Sequence, residues 1–357
     1  MIDLADALLR GARGRRLLLE CAKSADEAVS SAMFWRGHHL DPHPGTLLRI
    51  PGDEGAPPAD PRFSDADVAA LIDRADLTAV DATTVRDALR ASIDAARYWQ
   101  EPDGEDIAAA RPAVREALRR VVDPVVAVVP DPTAPPAPAQ WAVDWRALAD
   151  SAPLSPDPAA LLADWTRDLR ADESRATRER PSDPRAPMSG TWWSVPTLLL
   201  ATRSSIPDAL DLIEDSLGWE VATVVPVRGA GHTLEIRSSE DWAALCREYP
   251  VEVTASRRHD WFRVTGRDGR WLIPDWERVA QQWDAVHLTT LGYLSAATER
   301  IEIDADHASV IAGWAPDSTI WLRDVAREWG ESRQEWVRSP DDAQWTRRPA
   351  PPAGGDS

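Results

Sequence analysis

Asp284-Ala285-Val286-His287-Leu288-Thr289-Thr290 is the stretch on which the reading of the second half of the chain turns. Apolar residues alternate with polar ones there, the period-2 pattern of a strand with one face toward a core. Val286 and Leu288 are expected to point inward. His287 and Thr289 then share the opposite face, with Tyr293 close behind. Upstream, Asp275 reads as the N-cap of a helix through Val279, Ala280 and Trp283, and Ser238 or Ser239 as the cap of another through Trp242 and Cys246. Short β-branched runs flank these helices: Ala222–Val227, Thr233–Ile236, Val251–Thr254, Phe262–Thr265 and Trp271–Ile273 before the stretch, Ile301–Ile303, Ser309–Ile311 and Thr319–Leu322 after it. Gly266-Arg267-Asp268-Gly269 reads as a hairpin turn. The pattern predicts an α+β domain over residues 188–324, with a mixed, mainly antiparallel sheet and two or three helices.

Residues 1–129 read instead as a helical region. Leu4 to Ala22 carries apolar residues at helical spacing, weakened by Gly11 and Gly14. Ser64 reads as an N-cap, Thr83 or Thr84 as another, and Pro112 opens a further helix. A loop rich in Pro and Gly separates Leu40 from Asp60. Residues 130–187 are expected to hold a stiff Pro-rich linker, Pro130 to Pro138, followed by a helix from Pro158 to about Arg180 whose last part is solvated. The tail, 338–357, is expected to be disordered.

The chain has 357 residues and a formal net charge of -19, so its overall field repels nucleic-acid backbones and anionic membranes. The same charge suits a basic protein partner. Cys21 and Cys246 are too few for a zinc site or a disulfide scaffold. No apolar run reaches the length of a membrane span, and the first residues lack the positive region of a secretory signal. A soluble, acidic, cytoplasmic protein is the expectation. The P-loop, the Gly-x-Gly-x-x-Gly fingerprint, the Gly-x-Ser-x-Gly elbow and His-Glu-x-x-His are all missing, which disfavours the enzyme classes built on them.

Trp stands out: 18 residues against 3 Phe and 3 Tyr. Each brings a large apolar face and an N–H that needs a partner when buried. Among them lies Arg257-Arg258-His259-Asp260-Trp261, expected on a loop between two strands. Arg257 and Arg258 suit an anion, His259 or His287 a proton transfer, and Trp261, Tyr293, Asp260 and Thr289 the rest of a common cleft. His259, His287 and Tyr293 are the catalytic candidates. The loop at Asp317-Ser318 reads first as a turn. His38-His39-Leu40-Asp41-Pro42-His43 offers metal-ligand types at a spacing that fits no zinc signature, so no metal is expected.

Tyr98-Trp99-Gln100-Glu101-Pro102-Asp103-Gly104-Glu105-Asp106, the run around Arg257–Trp261, and the stretch through His287 together resemble a family of uncharacterised proteins from GC-rich bacteria. The strand-borne His287-Leu288-Thr289 with Tyr293 behind it also resembles the His and Tyr elements of NAD-using ADP-ribosyltransferase folds. It departs from them in lacking a glutamate at the catalytic place. The resemblance implies a nucleotide-like ligand; the residues themselves imply a small anionic one, or else a non-catalytic interaction protein of the inhibitor or immunity type. No cofactor is specified.

Overall fold

The computed structural model describes residues 3–45, 61–128, 131–154, 157–214, 218–330, 332–339 and 344–349. Seven α-helices come first among the described residues: α1 (Leu4–Arg10), α2 (Ala12–Ala25), α3 (Glu27–Leu40), α4 (Asp65–Arg74), α5 (Ala82–Asp94), α6 (Gly104–Ala109) and α7 (Pro112–Val128). The expected helix from Leu4 to Ala22 is two, broken at Gly11. The reason is tertiary: a Cβ at Gly11 would overlap the Leu294 carbonyl oxygen, so only glycine lets the chain pass. Ser64 caps α4 in a capping box with Asp67. Asp81 caps α5 in place of the expected threonines, because its carboxylate accepts from the Thr84 N–H. Most of the loop between Leu40 and Asp60 lies outside the described residues.

Strands and helices then alternate: β1 (Ala139–Asp144), α8 (Pro158–Glu179), β2 (Ala201–Arg203), α9 (Asp208–Asp211), β3 (Val221–Gly229), β4 (Thr233–Ile236), α10 (Ser239–Glu248), β5 (Pro250–Glu252), α11 (Thr254–Thr265), β6 (Arg270–Pro274) and α12 (Trp276–Val279). After these come β7 (Ala285–Leu288), α13 (Thr290–Ala296), β8 (Ile301–Glu302), β9 (His307–Ser309), β10 (Ser318–Trp321), β11 (Ala326–Glu328), β12 (Gln334–Val337) and β13 (Thr346–Arg347). The large sheet runs β13-β12-β3-β1-β2-β10-β7-β4, with β11 also on β3; a smaller one runs β5-β6-β9-β8. Only β4 with β7 and β6 with β9 pair parallel among the named strands, so the α+β architecture with a mainly antiparallel sheet stands.

Other expectations need correction. β1 lies inside the stretch read as a linker and pairs with β3 along its whole length, Ala139 to Asp144. The sheet also runs past residue 324 into the tail, where β12 pairs with β13 and Trp345 is buried; residues 340–343 and 350–357 lie outside the described residues. Phe262–Thr265, read as a strand, closes helix α11, and Gly266 at φ 70° ends that helix instead of opening a hairpin. The β-branched Val264 and Thr265 follow the helix because its other end is held from outside. The Glu173 carboxylate accepts from the N–H groups of Ala255 and Ser256 at 2.7 and 2.8 Å. The charged end of α8 is thus a docking surface for α11, where solvent was expected.

The helical region and the sheet share one core. Leu17, Leu18 and Leu19 of α2 cluster with Leu291 and Leu294 of α13 and with Ile236 of β4. The docking of α1 and α2 on α13 brings the first turns of the chain against the sheet layer. Gly11→Ala is therefore expected to cost about 1–3 kcal/mol of unfolding free energy through overpacking, read from urea denaturation. An unchanged midpoint would mean that α1 and α2 do not seat on α13 in this way.

Candidate functional site

Half-buried indoles surround a hollow of about 370 Å³ lined by Trp99, Trp145, Trp192, Trp193, Trp219 and Glu214. Two stacks build it. Trp145 lies on Trp219 at 4.5 Å between centroids and 13° between planes, and Trp192 lies on Trp193 at 4.5 Å and 26°. Trp99 leans on Trp192 at 5.1 Å. Trp145, Ile213, Gly313 and Ala315 also line a second hollow of about 270 Å³, whose wall includes Trp141, Trp314 and Arg203. Together they reach the size of small-molecule pockets, about 300–1,000 Å³. Gly313, at φ 73°, must be glycine here, since a Cβ would also collide with the Trp193 ring.

The sheet register decides which residues reach the hollow. Trp141, Arg203, Ser318 and Leu288 form one cross-strand row; Thr202, Thr319 and His287 form the next. Adjacent rows point to opposite faces. Arg203 therefore stands on the hollow side with Trp141 and Ser318, and His287 stands behind the sheet.

At the inner end, the Glu214 Oε1 accepts hydrogen bonds from two phenols, Tyr98 and, at 3.1 Å, Tyr293. Tyr293 arrives from α13, directly after β7; Tyr98 comes from the segment after α5 and stacks its ring on Trp192 at 5.3 Å. Burial raises the Glu214 carboxyl to about 7, against the opposing pull of the two phenol donors, Arg13 and Arg203. Both phenols are pushed well up by burial, so they remain protonated donors. A carboxyl poised there exchanges its proton near neutrality, the property of a general acid or base. Arg203 is only 8% exposed, and its Nη1 is buried with no hydrogen-bond partner among the described residues. Burial lowers its pKa to about 10, offset in part by Asp317 and Asp208, so it stays cationic at neutral pH.

Of the residues expected to form a cleft, only Tyr293 touches this site. His287 is fully buried, with Nδ1 at 3.0 Å from the Thr319 hydroxyl and Nε2 at 3.8 Å from the Asp317 carboxylate. Burial lowers its pKa, so it is a neutral packing group. Thr289 caps α13, accepting from the Gly292 N–H and donating to the Ile236 carbonyl. His259 on α11 is fully buried, and neither ring nitrogen has a partner among the described residues. The expected convergence of His259, His287 and Tyr293 is thus corrected, because helix α11 and the sheet's alternation send them to different places.

The Arg257–Trp261 run has another part to play. Trp261 Nε1 donates to the Trp192 carbonyl at 3.1 Å, Arg257 Nη2 to the Trp193 carbonyl at 3.2 Å, and Trp276 Nε1 to the Ser194 carbonyl at 3.0 Å. Asp260 accepts from Ser189 Oγ and the Gly190 N–H at 2.7 and 3.0 Å. Arg258 reaches the Ser182 carbonyl at 3.2 Å. These side chains clamp a strandless segment and so hold up the Trp192–Trp193 wall. They position the site without lining it.

Sequence reasoning missed Glu214, Arg203, Tyr98 and the indoles Trp99 and Trp145. One signal was present: Glu214 directly follows the apolar pair Leu212-Ile213. Among the described residues no group of three His, Cys, Asp or Glu side chains could hold a metal ion. No helix there is long and apolar enough to cross a membrane. Fold and geometry define an α+β protein with an indole-walled cleft. No family model, no curated protein and no solved structure matches the chain.

Because its folded pKa is raised, Glu214 contributes stability that is full below its ordinary value of 4.5 and is lost as pH rises through about 7. Glu214→Gln should flatten that decline in chemical denaturation across pH 4 to 8. Tyr98→Phe removes a donor that favours the carboxylate and should move the inflection upward by about 1–2 pH units, the worth of a hydrogen bond to a charged group. An inflection that stays in place in both variants would remove Glu214 as the titrating group.

Proposed function

We propose that the indole-walled hollow binds, and through Glu214 transforms, a small ligand that joins a flat ring system to an anionic group. The observation that carries this is the pairing, in two hollows with shared walls, of stacked Trp rings with a buried Arg203 whose Nη1 has no hydrogen-bond partner among the described residues. Indole faces offer a flat ring large contact area and stacking at little entropic cost. The free Nη1 of Arg203 offers an oxyanion a charge-assisted hydrogen bond where water is scarce. Glu214 lines the hollow of the stacked indoles and supplies or accepts a proton near pH 7. Nucleotides are one such class, with the base between indoles and a phosphate on Arg203.

In a reaction, Tyr98 and Tyr293 hold Oε1, which leaves Oε2 as the atom that carries the exchangeable proton toward the ligand. The charge of -19 favours a second reading, an acidic protein that binds a basic partner; it rests on long-range field alone.

Titration calorimetry of the full chain with AMP, NAD and indole-3-acetate tests the first reading. At least one is expected to bind, and Trp219→Ala should weaken it about 5- to 150-fold, the worth of about 1–3 kcal/mol of ring stacking. Arg203→Gln should weaken the anionic probes more than their uncharged analogues, adenosine and 3-methylindole. Three silent probes, or binding indifferent to both substitutions, would end this reading.

A further inference from the structure

Residues 95–102 separate the indole hollow from another. Ala96 and Trp99 line the first; Ala95, Arg97 and Pro102 line a hollow of about 410 Å³ on the other side. Its wall carries four guanidinium groups, Arg13, Arg15, Arg97 and Arg111, against two carboxylates, Asp106 and Glu299. In a chain with net charge -19 this is a local excess of cation.

The pairing inside the wall is incomplete. Arg13 is 2% exposed; it donates to Asp106 and, at 2.7 Å, to the Ser92 carbonyl, yet its Nε is buried without a partner among the described residues. Arg15 pairs with Glu299 at 3.0 Å, and its buried Nε likewise has no partner among the described residues. Arg97 reaches only the carbonyls of Asp94 and Ala96, and Arg111 has no ion-pair partner among the described residues. Ala110, Arg111 and Pro112 bring the start of the 17-residue helix α7 into the same wall, and its first turn carries no acid. No carboxylate of its own first turn offsets the positive end of that helix. Thr298, also in the wall, holds φ 64°, a conformation that costs a non-glycine residue energy and tends to gather at ligand sites. Ile107, Val264 and Ala12 supply an apolar side.

We propose that this hollow is a second ligand site, for a small molecule bearing a phosphate or carboxylate on an apolar body. Arg97 and Arg111 take the oxyanion at the first turn of α7, with the free Nε groups of Arg13 and Arg15 behind it. The apolar body lies on Ile107 and Val264. The site is separate from the indole hollow and does not depend on what that hollow binds.

The test is calorimetry and thermal denaturation of the full chain with phenyl phosphate and with benzoate, against sodium chloride at equal ionic strength. Either probe should bind and raise the melting temperature beyond the chloride effect; which of them does so names the oxyanion. Arg97→Ala with Arg111→Ala, two side chains without carboxylate partners, should lower the affinity at least tenfold while the fold, read by circular dichroism, is kept. Trp219→Ala should leave this binding unchanged. The proposal is overturned if neither probe exceeds chloride, if the double substitution leaves binding intact, or if only Trp219→Ala weakens it.

Discussion

A shielded carboxyl with several distant claimants organises the molecule. Glu214 comes from the short segment after α9. Tyr98 follows α5, Tyr293 belongs to α13, and the opposing cations Arg13 and Arg203 belong to α2 and β2. A carboxyl taken out of water is tolerated when donors and cations converge on it. Here those donors come from the first helices, the sheet and the helix after β7. Satisfying one side chain thus requires the helical region and the sheet layer to dock in a single arrangement. The shared core of α2 and α13 gives that docking its energy; the polar cluster gives it its register.

Tryptophan explains the rest of the architecture. The Nε1 groups of Trp261 and Trp276, with Arg257 Nη2, satisfy the consecutive carbonyls of residues 192, 193 and 194. That segment is in neither helix nor strand, so its backbone polar groups need partners from elsewhere. Indoles buried in the scaffold provide them, and indoles on the segment itself are left half-buried around the hollow. One residue type therefore serves both as the support and as the wall. The polar face of α11 looked like a binding loop because Arg, His and Asp crowd together there. In the folded chain Arg257 and Asp260 are turned inward, toward the segment they hold, and His259 is buried beside them.

Local pattern carried the fold class a long way. The strands at Thr233–Ile236 and around Val286 and the caps at Ser64, Ser238 and Asp275 stood in the sequence because alternation and capping are short-range effects. Pattern failed where a distant group intervened. Val264 and Thr265 prefer strands, yet Glu173, 82 positions from Ala255 in the sequence, caps the helix that contains them. β1 was hidden because a Pro-rich approach reads as linker, and only pairing with β3 reveals Ala139–Asp144 as a central strand.

The sequence by itself determined the helical start, the mixed sheet after it, and the abundance of tryptophan from which a cleft could be built. Tertiary structure alone decided which polar residues meet. A one-residue step in register across β2, β10 and β7 sends Arg203 and Ser318 to one side of the sheet and His287 and Thr319 to the other. Strand alternation is visible in a sequence, but which face opens on a hollow depends on what packs there. Glu214, Tyr98 and Tyr293 come together only through contacts spanning 116 and 79 positions, which no local periodicity encodes.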